Sequence, residues 1–319
     1  MTDTLRLGVS ACLLGQPVRF NGGHKRDGFL VDRLGRWVDW VPVCPEDEAG
    51  FGTPRPPMQL VSAAGVICLR TVEGGRDLTQ PMRAYSAERV ERLAALALDG
   101  YVFKAGSPSC GVRHVTIHTS PGVATATGRG LFAERLCARL PLLPVEDEGR
   151  LGRPRWRENF IGRVYAYRRL RALIQEQTSA QDLASFHEAH QLLLLAHSPR
   201  RCATLGAVVA AAGAGGPTAV VESIERYATI FMTALGVVAT PARHADALEQ
   251  AVQHLRPVLD EVSRLRIDGD IADYRRGAVP LAVPRASIAE LAAAHAVGYL
   301  VRQIYLQPGP AALVLADTR

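Results

Sequence analysis

The sequence predicts an α/β domain with a mostly parallel sheet, followed by a separate all-α domain. In the first half, short apolar segments typical of strands alternate with amphipathic segments typical of helices. A stretch rich in proline and glycine follows at residues 141–155, where a linker is expected. Beyond it the pattern is helical almost throughout. These observations place the two domains at residues 1–150 and 151–319.

In the first domain, strands are expected where apolar runs end in turn residues. The first expected helix spans residues 84–98, with Ser86 as a plausible N-cap and Gly100 just past its end. It leads directly into a strand, as in a helix-to-parallel-strand connection. A second helix is expected at residues 131–139. The expected strands are residues 5–11, 38–43, 58–62, 65–70, 101–104 and 112–118.

In the second domain, helical segments are separated by proline and glycine. These breaks fall at Ser198-Pro199, between Gly213 and Pro217, and at Thr240-Pro241. The expected helices are residues 157–176, 180–197, 200–212, 219–235, 241–265 and 284–297.

Composition favours a soluble protein, with 48% hydrophobic and 21% charged residues among 319. No apolar run reaches the roughly 18–20 residues that a membrane span needs. The first residues do not resemble a secretory signal, so we expect a cytoplasmic location. There, six cysteines are better explained as metal ligands, catalytic groups or core residues than as disulfides. The net charge of +6 comes almost wholly from arginine, which suits a phosphate-rich partner but also follows from base composition.

Three cysteines, Cys12, Cys44 and Cys110, each come just after an expected strand. Their wide separation excludes the close ligand pairs of zinc fingers but suits a site built from several strand ends. Three interpretations remain open: a zinc ion with a water ligand, a [4Fe–4S] cluster with one open iron, and no metal. The other cysteines lie inside expected strands or helices and receive no role: Cys68, Cys137 and Cys202.

Acidic, hydroxyl and basic groups flank these thiols. Glu46 and Glu48 follow the second cysteine, and Ser107 and Ser109 come just before the third. A carboxylate beside a metal site is able to serve as a general base or to activate water. Lys104, at the end of its strand, is expected to place a charge near the same rim.

Several motifs of the first half, taken together, resemble the TudS-type thiouracil/thiouridine desulfidases. They occur in the same order over about residues 5–150, with Asn21 standing where an aspartate is usual. The motifs are Ser10-Ala-Cys-Leu-Leu-Gly15, Val18-Arg-Phe-Asn-Gly-Gly23, Val43-Cys-Pro-Glu46, Pro54-Arg-Pro56, Phe103-Lys-Ala-Gly-Ser-Pro-Ser-Cys-Gly111 and Gly128-Arg-Gly-Leu-Phe132.

The second half resembles the YbgA-type domain that is often fused to such a desulfidase. Gln191 stands where its helical motif commonly carries lysine. The whole chain is therefore similar to two-domain desulfidases that act on thiolated tRNA. The motifs are Phe186-His-Glu-Ala-His-Gln-Leu-Leu-Leu-Leu-Ala-His-Ser-Pro199, Thr204-Leu-Gly206 and Tyr299-Leu-Val-Arg-Gln-Ile-Tyr-Leu-Gln-Pro308.

The resemblance implies a [4Fe–4S] cluster on Cys12, Cys44 and Cys110, whose open iron binds the thiocarbonyl sulfur of the substrate. It implies a redox-neutral exchange of sulfur for oxygen, with 4-thiouridine in tRNA as the preferred substrate. Glu46 or Glu48 would be the base, and Ser107 or Ser109 would orient substrate or water. The alternatives are a desulfidase of free thiouracil and a non-catalytic, zinc-containing RNA-binding protein.

A tRNA or thiolated nucleobase is the expected partner, with no membrane and no protein partner evident. Residues 150–171 hold eight arginines and one acidic residue, interleaved with aromatics, which suits RNA but also a solvated amphipathic helix. A basic segment with two glycines at residues 18–26 suits phosphate. For His187, His190 and His197 we expect a structural or RNA-contact role rather than metal binding. The expected substrate or RNA contacts are Arg19, Asn21, Lys25, Lys104, Arg157, Arg163, Arg168 and Arg169.

Overall fold

The chain divides into two compact units, Met1–Arg153 and Pro154–Arg319, close to the expected domain boundary. In the described residues, the first unit is α/β and the second is helical, which is the predicted fold class. The structure is a computed structural model that describes residues 4–63, 65–120, 123–175 and 178–307.

The elements of the first unit mostly follow the expected pattern, and the bounds of β2 and α2 agree with it residue for residue. The first helix begins earlier than expected, at Thr79, so the expected N-cap at Ser86 is wrong and this residue is buried inside the helix. Short helical turns occupy Ala11–Leu14, Phe29–Arg33, Leu34–Trp37 and Asp47–Phe51. The strands are β1 (Leu5–Ser10), β2 (Val38–Val43), β3 (Met58–Ala63), β4 (Val66–Thr71), β5 (Gly100–Phe103), β6 (Val115–Ser120), β7 (Val123–Gly128) and β8 (Val145–Asp147). The helices are α1 (Thr79–Ala95), α2 (Leu131–Arg139) and the short α3 (Glu148–Leu151).

The first sheet has the strand order β2-β1-β5-β8, and all its neighbours are parallel. Its central strands β1 and β5 are buried almost throughout, as expected for a parallel sheet covered on both faces. Leu7 and Val9 of β1 and Val102 of β5 are fully buried or nearly so. Because the strands run in one direction, their carboxyl ends meet at one edge, where ligands bind in open α/β sheets.

The second sheet, in the order β4-β3-β6-β7, is mixed. The pairs β3–β4 and β6–β7 are antiparallel, whereas β3–β6 is parallel. Its buried face packs against α1 through Leu60, Leu69, Val115 and Met82. Strand β7 was not expected, because Val-Ala-Thr-Ala-Thr-Gly is only weakly apolar and pairs through its partner β6.

The linker expected at residues 141–155 is wrong. Its centre forms β8, which pairs in parallel with β5 and completes the first sheet. The acidic triplet is folded into the unit: Glu146 is 1% exposed and Asp147 8% exposed. Asp147 caps α3 by accepting a hydrogen bond from the backbone N–H of Arg150 at 2.9 Å. Proline and glycine here shape tight turns around a strand.

The second unit is a set of helices joined by short connections. The expected helix at 241–265 is wrong as a single element, because Arg256-Pro257 ends one helix and Asp260 caps the next through the N–H of Ser263 at 2.7 Å. Among the described residues, no helix is both long and apolar enough to cross a membrane. The helices are α4 (Pro154–Gln175), α5 (Ala180–His197), α6 (Pro199–Ala214), α7 (Pro217–Leu235), α8 (Pro241–Leu255), α9 (Glu261–Arg275), α10 (Ala282–Ala294) and α11 (Gly298–Val301).

Candidate active site

The three strand-end cysteines line one cavity of about 340 Å³ in the first unit. Cys12 lies in the helical turn that follows β1, Cys44 comes directly after β2, and Cys110 lies in the loop after β5. Cys12 is 9% exposed and Cys110 is 6% exposed. The parallel order of these three strands thus brings together thiols that are far apart in the sequence, as their positions predicted.

Burial disfavours the charged form of all three thiols. Burial, and to a smaller extent the nearby charge of Cys44, raises the pKa of Cys12 to about 11. Burial is also the largest cause of the raised pKa values of Cys44 and Cys110. Three thiolates in this cavity therefore need a positively charged partner that compensates for lost hydration.

A single metal ion does not match this donor set. In the part of the chain that the structure describes, no group of three or more His, Cys, Asp or Glu side chains is arranged to hold a metal ion. A zinc ion would need three thiolates at about 2.3 Å from one point. The zinc interpretation therefore lacks support, whereas a cluster places each thiolate on a different iron.

Glu46 points into the cavity and is held by Arg55. Its Oε2 accepts hydrogen bonds from Nε of Arg55 at 3.0 Å and from Nη2 at 2.6 Å. The side chains of this ion pair are 13% and 3% exposed. Two charge-assisted hydrogen bonds from one guanidinium to a single oxygen hold the carboxylate and leave Oε1 for other partners.

Two serine hydroxyls occupy that second oxygen. Ser109 Oγ donates to Oε1 of Glu46 at 2.6 Å, and Ser107 Oγ lies 3.2 Å from the same atom. Ser109 Oγ also lies 3.9 Å from the sulfur of Cys110. Ser109 thus connects the carboxylate to a thiol, whereas Ser107 also accepts the backbone N–H groups of Ser109 and Cys110 and shapes the loop.

Glu48, the other candidate base, does not line the cavity. Its Oε1 accepts the backbone N–H of Cys44 at 2.9 Å. Its Oε2 accepts the hydroxyl of Tyr85 at 2.6 Å and pairs with Arg89 at 3.0 Å. These contacts make it a support for the turn after β2, so the geometry favours Glu46 as the base.

Lys104 lines the cavity but is tied to Glu148. Its ammonium group pairs with Oε1 of Glu148 and donates to the carbonyl of Ala105 at 2.9 Å. Oε2 of Glu148 accepts the N–H of Ala105 at 2.7 Å. The sequence analysis did not predict the roles of Arg55 and Glu148 at the site. The sequence features that could have indicated them are the two prolines that flank Arg55 and the acidic triplet that contains Glu148.

Two further cations lie at the cavity: Arg19 and Lys25 are both lining residues. The Arg19 guanidinium lies 5.4 Å from the ring centroid of Phe20, which also lines the cavity. Asn21 does not line it; its Oδ1 accepts the N–H of Gly23 at 3.1 Å and holds the turn. The basic segment after Cys12 therefore borders the cavity, in agreement with an anionic group on the ligand.

The loop with Ser109 rests on the amino terminus of α2. The N–H groups of Phe132 and Ala133 both donate to the carbonyl of Ser109 at 3.1 Å, and that of Leu131 donates to Pro108 at 3.1 Å. A Cβ atom at Gly130 would lie 2.4 Å from the Ser109 carbonyl oxygen. Glycine at this position therefore lets helix and loop approach closely.

The expected RNA contacts of α4 are not freely exposed. Nε of Arg169 donates to Nε2 of His190 at 3.4 Å, and burial lowers its pKa to about 10. This placement counts against Arg169 as an RNA contact. Arg157, Arg163 and Arg168 are half-buried and interact with neighbouring groups.

The histidines of α5 make structural hydrogen bonds. Nδ1 of His190 bonds to the carbonyl of Phe186 at 2.7 Å, and Nδ1 of His187 lies 3.1 Å from the hydroxyl of Tyr227. Nδ1 of His197 bonds to the carbonyl of Val237 at 2.6 Å. These contacts agree with a structural role.

Each half of the chain matches a different family of known proteins. Residues 7–148 match the family model described as 2-thiouracil desulfurase, and residues 191–310 match a family of unknown function, DUF1722. The uncharacterised protein YbbK of Bacillus subtilis is 29% identical over 136 residues, 40% of this chain and 87% of that protein. The uncharacterised protein YbgA of Escherichia coli is 26% identical over 156 residues, 49% of this chain and 91% of that protein.

A solved structure of the [4Fe-4S]-dependent thiouracil desulfidase TudS is 31% identical, with a TM-score of 0.39. The match covers 47% of this chain and 94% of that one.

Proposed function

Because residues 7–148 form a domain of the 2-thiouracil desulfurase family, we propose that the first unit replaces the sulfur of a thiolated uracil base by oxygen. The preferred substrate is 4-thiouridine in tRNA, and the cofactor is a [4Fe–4S] cluster. The observation that carries this proposal is the shared cavity of Cys12, Cys44 and Cys110 with a carboxylate, Glu46, hydrogen-bonded to Ser109.

The cavity fits such a cluster through its donor set. Three thiols from three strand ends provide one ligand each, and the fourth iron has no protein thiol among the described lining residues. Burial makes their thiolates unfavourable without a cationic partner, as the raised pKa of Cys12 at about 11 indicates. When bound, the cluster supplies a soft Lewis acid that attracts the thiocarbonyl sulfur and makes the adjacent carbon more electrophilic.

The residues of the chain supply the proton chemistry. Glu46 Oε1 orients a water molecule toward that carbon and takes its proton, while Arg55 keeps the carboxylate in place through Oε2. Ser109, 2.6 Å from Oε1 and 3.9 Å from the Cys110 sulfur, passes the proton toward the departing sulfur. One water molecule is consumed and the sulfur leaves as hydrogen sulfide, so the products are the uracil base that carries oxygen and hydrogen sulfide. No external electrons are needed.

Arg19 and Lys25 support a substrate that carries phosphate. Both line the cavity, and no salt bridge involves either of them among the described residues. Guanidinium and ammonium groups neutralise backbone phosphates, whereas a free nucleobase has none for them to bind. These two cations therefore favour a nucleotide in a chain over free thiouracil.

The test is incubation of the anaerobically reconstituted protein with tRNA containing 4-thiouridine and, separately, with free 2-thiouracil. We expect nucleoside analysis to show conversion of 4-thiouridine to uridine, with release of sulfide. A protein without iron after reconstitution, or without sulfide release from any thiolated base, contradicts the proposal.

The tRNA preference has its own test. Changing Arg19 and Lys25 together to Gln should lower turnover of thiolated tRNA about tenfold or more while sparing the free base. Arg36→Gln, an exposed change outside the cavity lining, is the matched control. An equal loss of turnover on both substrates would instead show that Arg19 and Lys25 maintain the structure of the site and do not bind phosphate.

A further inference from the structure

The helical unit contains its own cavity, of about 470 Å³. It lies between α4, the end of α5, the connection from α7 to α8 and the connection from α9 to α10. Much of its wall is apolar, including Leu193, Leu235, Val238 and Leu281. A cavity of this size and composition with a few convergent polar groups is typical of a small-molecule site.

Two arginines supply hydrogen-bond donors to this cavity. Arg285 is 5% exposed, pairs with Oε1 of Glu158 at 2.8 Å and stacks its guanidinium 4.3 Å from the ring centroid of Tyr305. Its Nε is buried and has no hydrogen-bond partner among the described residues. Nη2 of Arg155 donates to the carbonyl of Ala239 at 2.9 Å, and no salt bridge to it occurs in the described chain. Arg285 also lines the cavity, so its guanidinium group is one that an anionic ligand would meet there.

A histidine in the wall supplies an acceptor. A carbonyl oxygen only accepts, so Nδ1 of His197 must carry the proton that it donates to Val237 at 2.6 Å. Burial lowers the pKa of His197 to about 4, which keeps the ring neutral. Its Nε2 then carries a lone pair and makes no hydrogen bond within the described residues. A ligand group that meets this atom must be an N–H or O–H donor.

Two tyrosines, Tyr165 and Tyr274, also line the cavity. Aromatic walls favour a flat ring, which they contact by offset or edge-to-face packing. Glu158 pairs with Arg285, so Arg155 gives these three lining side chains a net charge of +1 (two cations and one anion), which favours an anion.

We propose that this cavity binds a small aromatic anion, whose carboxylate or phosphate meets Arg155 and Arg285 and whose N–H or O–H group meets His197. A mononucleotide and an aromatic carboxylic acid share this chemistry. The inference concerns the helical unit alone and does not depend on desulfuration by the first unit.

Gly162 offers a way to fill the cavity. It lines the wall within α4, and a Cβ atom at this position would meet nothing within 4 Å. Leucine here projects into the open space and also favours the helix. Gly269 of α9 has the same open surroundings but does not line the cavity, so Gly269→Leu is the matched control.

The experiment is calorimetric titration of the full chain with uridine 5′-monophosphate and with 4-hydroxyphenylacetate, each against a neutral analogue, uridine or 4-methylphenol. At least one anion should bind about tenfold or more tightly than its neutral analogue. Gly162→Leu should abolish this binding, Gly269→Leu should preserve it, and Arg155→Met should weaken it about tenfold.

The titrations also distinguish the two classes of ligand. Binding of the nucleotide alone identifies a mononucleotide, and binding of the acid alone identifies a carboxylic acid. The proposal is overturned if neither anion binds at millimolar concentration, if the neutral analogues bind equally well, or if Gly162→Leu binds as the unchanged protein does.

Discussion

The two cavities of this chain use burial in opposite ways. In the first unit, burial raises the pKa of Cys12 and Cys110, whose charged forms are the ones that the proposed cofactor needs. In the helical unit, burial lowers the pKa of His197 and His244, which stay neutral and make no ion pair with any residue that the structure describes. The same desolvation thus creates a demand for a cofactor in one cavity and keeps the histidines of the other uncharged.

The polar partners differ in the same sense. Glu46 in the first cavity has one oxygen fixed by Arg55 and the other shared with Ser109, an arrangement that moves a proton over a short distance. His244 in the second cavity bonds to Tyr305 at 2.9 Å, deep in the helical core. This difference agrees with the two proposals, proton chemistry in the first cavity and ligand binding in the second.

The largest expected effect is the loss of the cofactor. Cys110→Ser should reduce iron well below that of the unchanged protein after reconstitution and abolish sulfide release, because one of three thiolate ligands is gone. Elemental analysis and a sulfide assay measure both. Cys137→Ser, a half-buried cysteine outside the cavity lining, should leave both unchanged. Full iron content in Cys110→Ser would show that Cys110 is not a ligand of the cofactor.

A fall in pH should affect the helical unit strongly. Burial lowers the pKa of His190 to about 3, of His197 to about 4 and of His244 to about 2, from 6.5. Below pH 6.5 the histidines take up protons in the unfolded chain but not in the folded one. The free energy of unfolding is therefore highest above pH 6.5 and falls as the pH approaches the pKa values of the folded state. Each histidine costs about 1.4 kcal/mol per pH unit, or about 4 kcal/mol for the three.

Hydrogen exchange in α5 and α8, corrected for intrinsic rates, measures this decline between pH 7 and pH 5. His190→Asn should reduce the slope by about one third. Protection that does not change with pH would show that these rings are protonated in the folded state, and the Nε2 atom of His197 would then not be an acceptor.

The next effect separates the two glutamates. Glu46→Gln should lower the rate of sulfide release about 100- to 1,000-fold with iron content retained, because the base is lost while the ligands remain. Glu48→Gln should change the rate much less and reduce thermal stability instead, since Glu48 holds Tyr85 and the Cys44 backbone. The reverse result would make Glu48 the base.

The smallest expected effect concerns the loop itself. Gly130→Ala forces the Ser109 carbonyl away from α2 and should cost about 1–3 kcal/mol of stability, measured by thermal unfolding. Because Ser109 moves with its carbonyl, sulfide release should fall as well. Gly162→Ala in the other unit, where a Cβ meets open space, is the control. Equal stability of both variants would mean that the loop adapts freely.

Much of the site could be predicted from the sequence because its ligands follow strands. Cys12 and Cys44 stand directly after apolar runs and Cys110 in the loop that follows a third, and parallel strands bring such positions to one edge. The bounds of α5 also agree with the expected helix at 180–197: Pro199 follows its end as expected, and the structure shows a capping box of Ser179 and Asp182 at its start.

The remainder depends on tertiary contacts that local patterns do not contain. Strand β8 is short and surrounded by proline and glycine, and its pairing with β5 defines it. Glu46 and Glu48 are two residues apart in one acidic run, and the turn after β2 decides which one faces the cavity. The ion pair of Arg55 with Glu46 joins residues that are nine positions apart, so no local sequence pattern predicts it.

The contact between α2 and the Ser109 loop has a consequence for protein engineering. Three amide groups at the start of α2 hold the carbonyls of Pro108 and Ser109, and Gly130 permits the approach. The loop sequence alone therefore does not encode the position of the Ser109 hydroxyl. A designer who transfers this site to another parallel-sheet scaffold must graft residues 105–111 and 130–139 together, as one transplantable part.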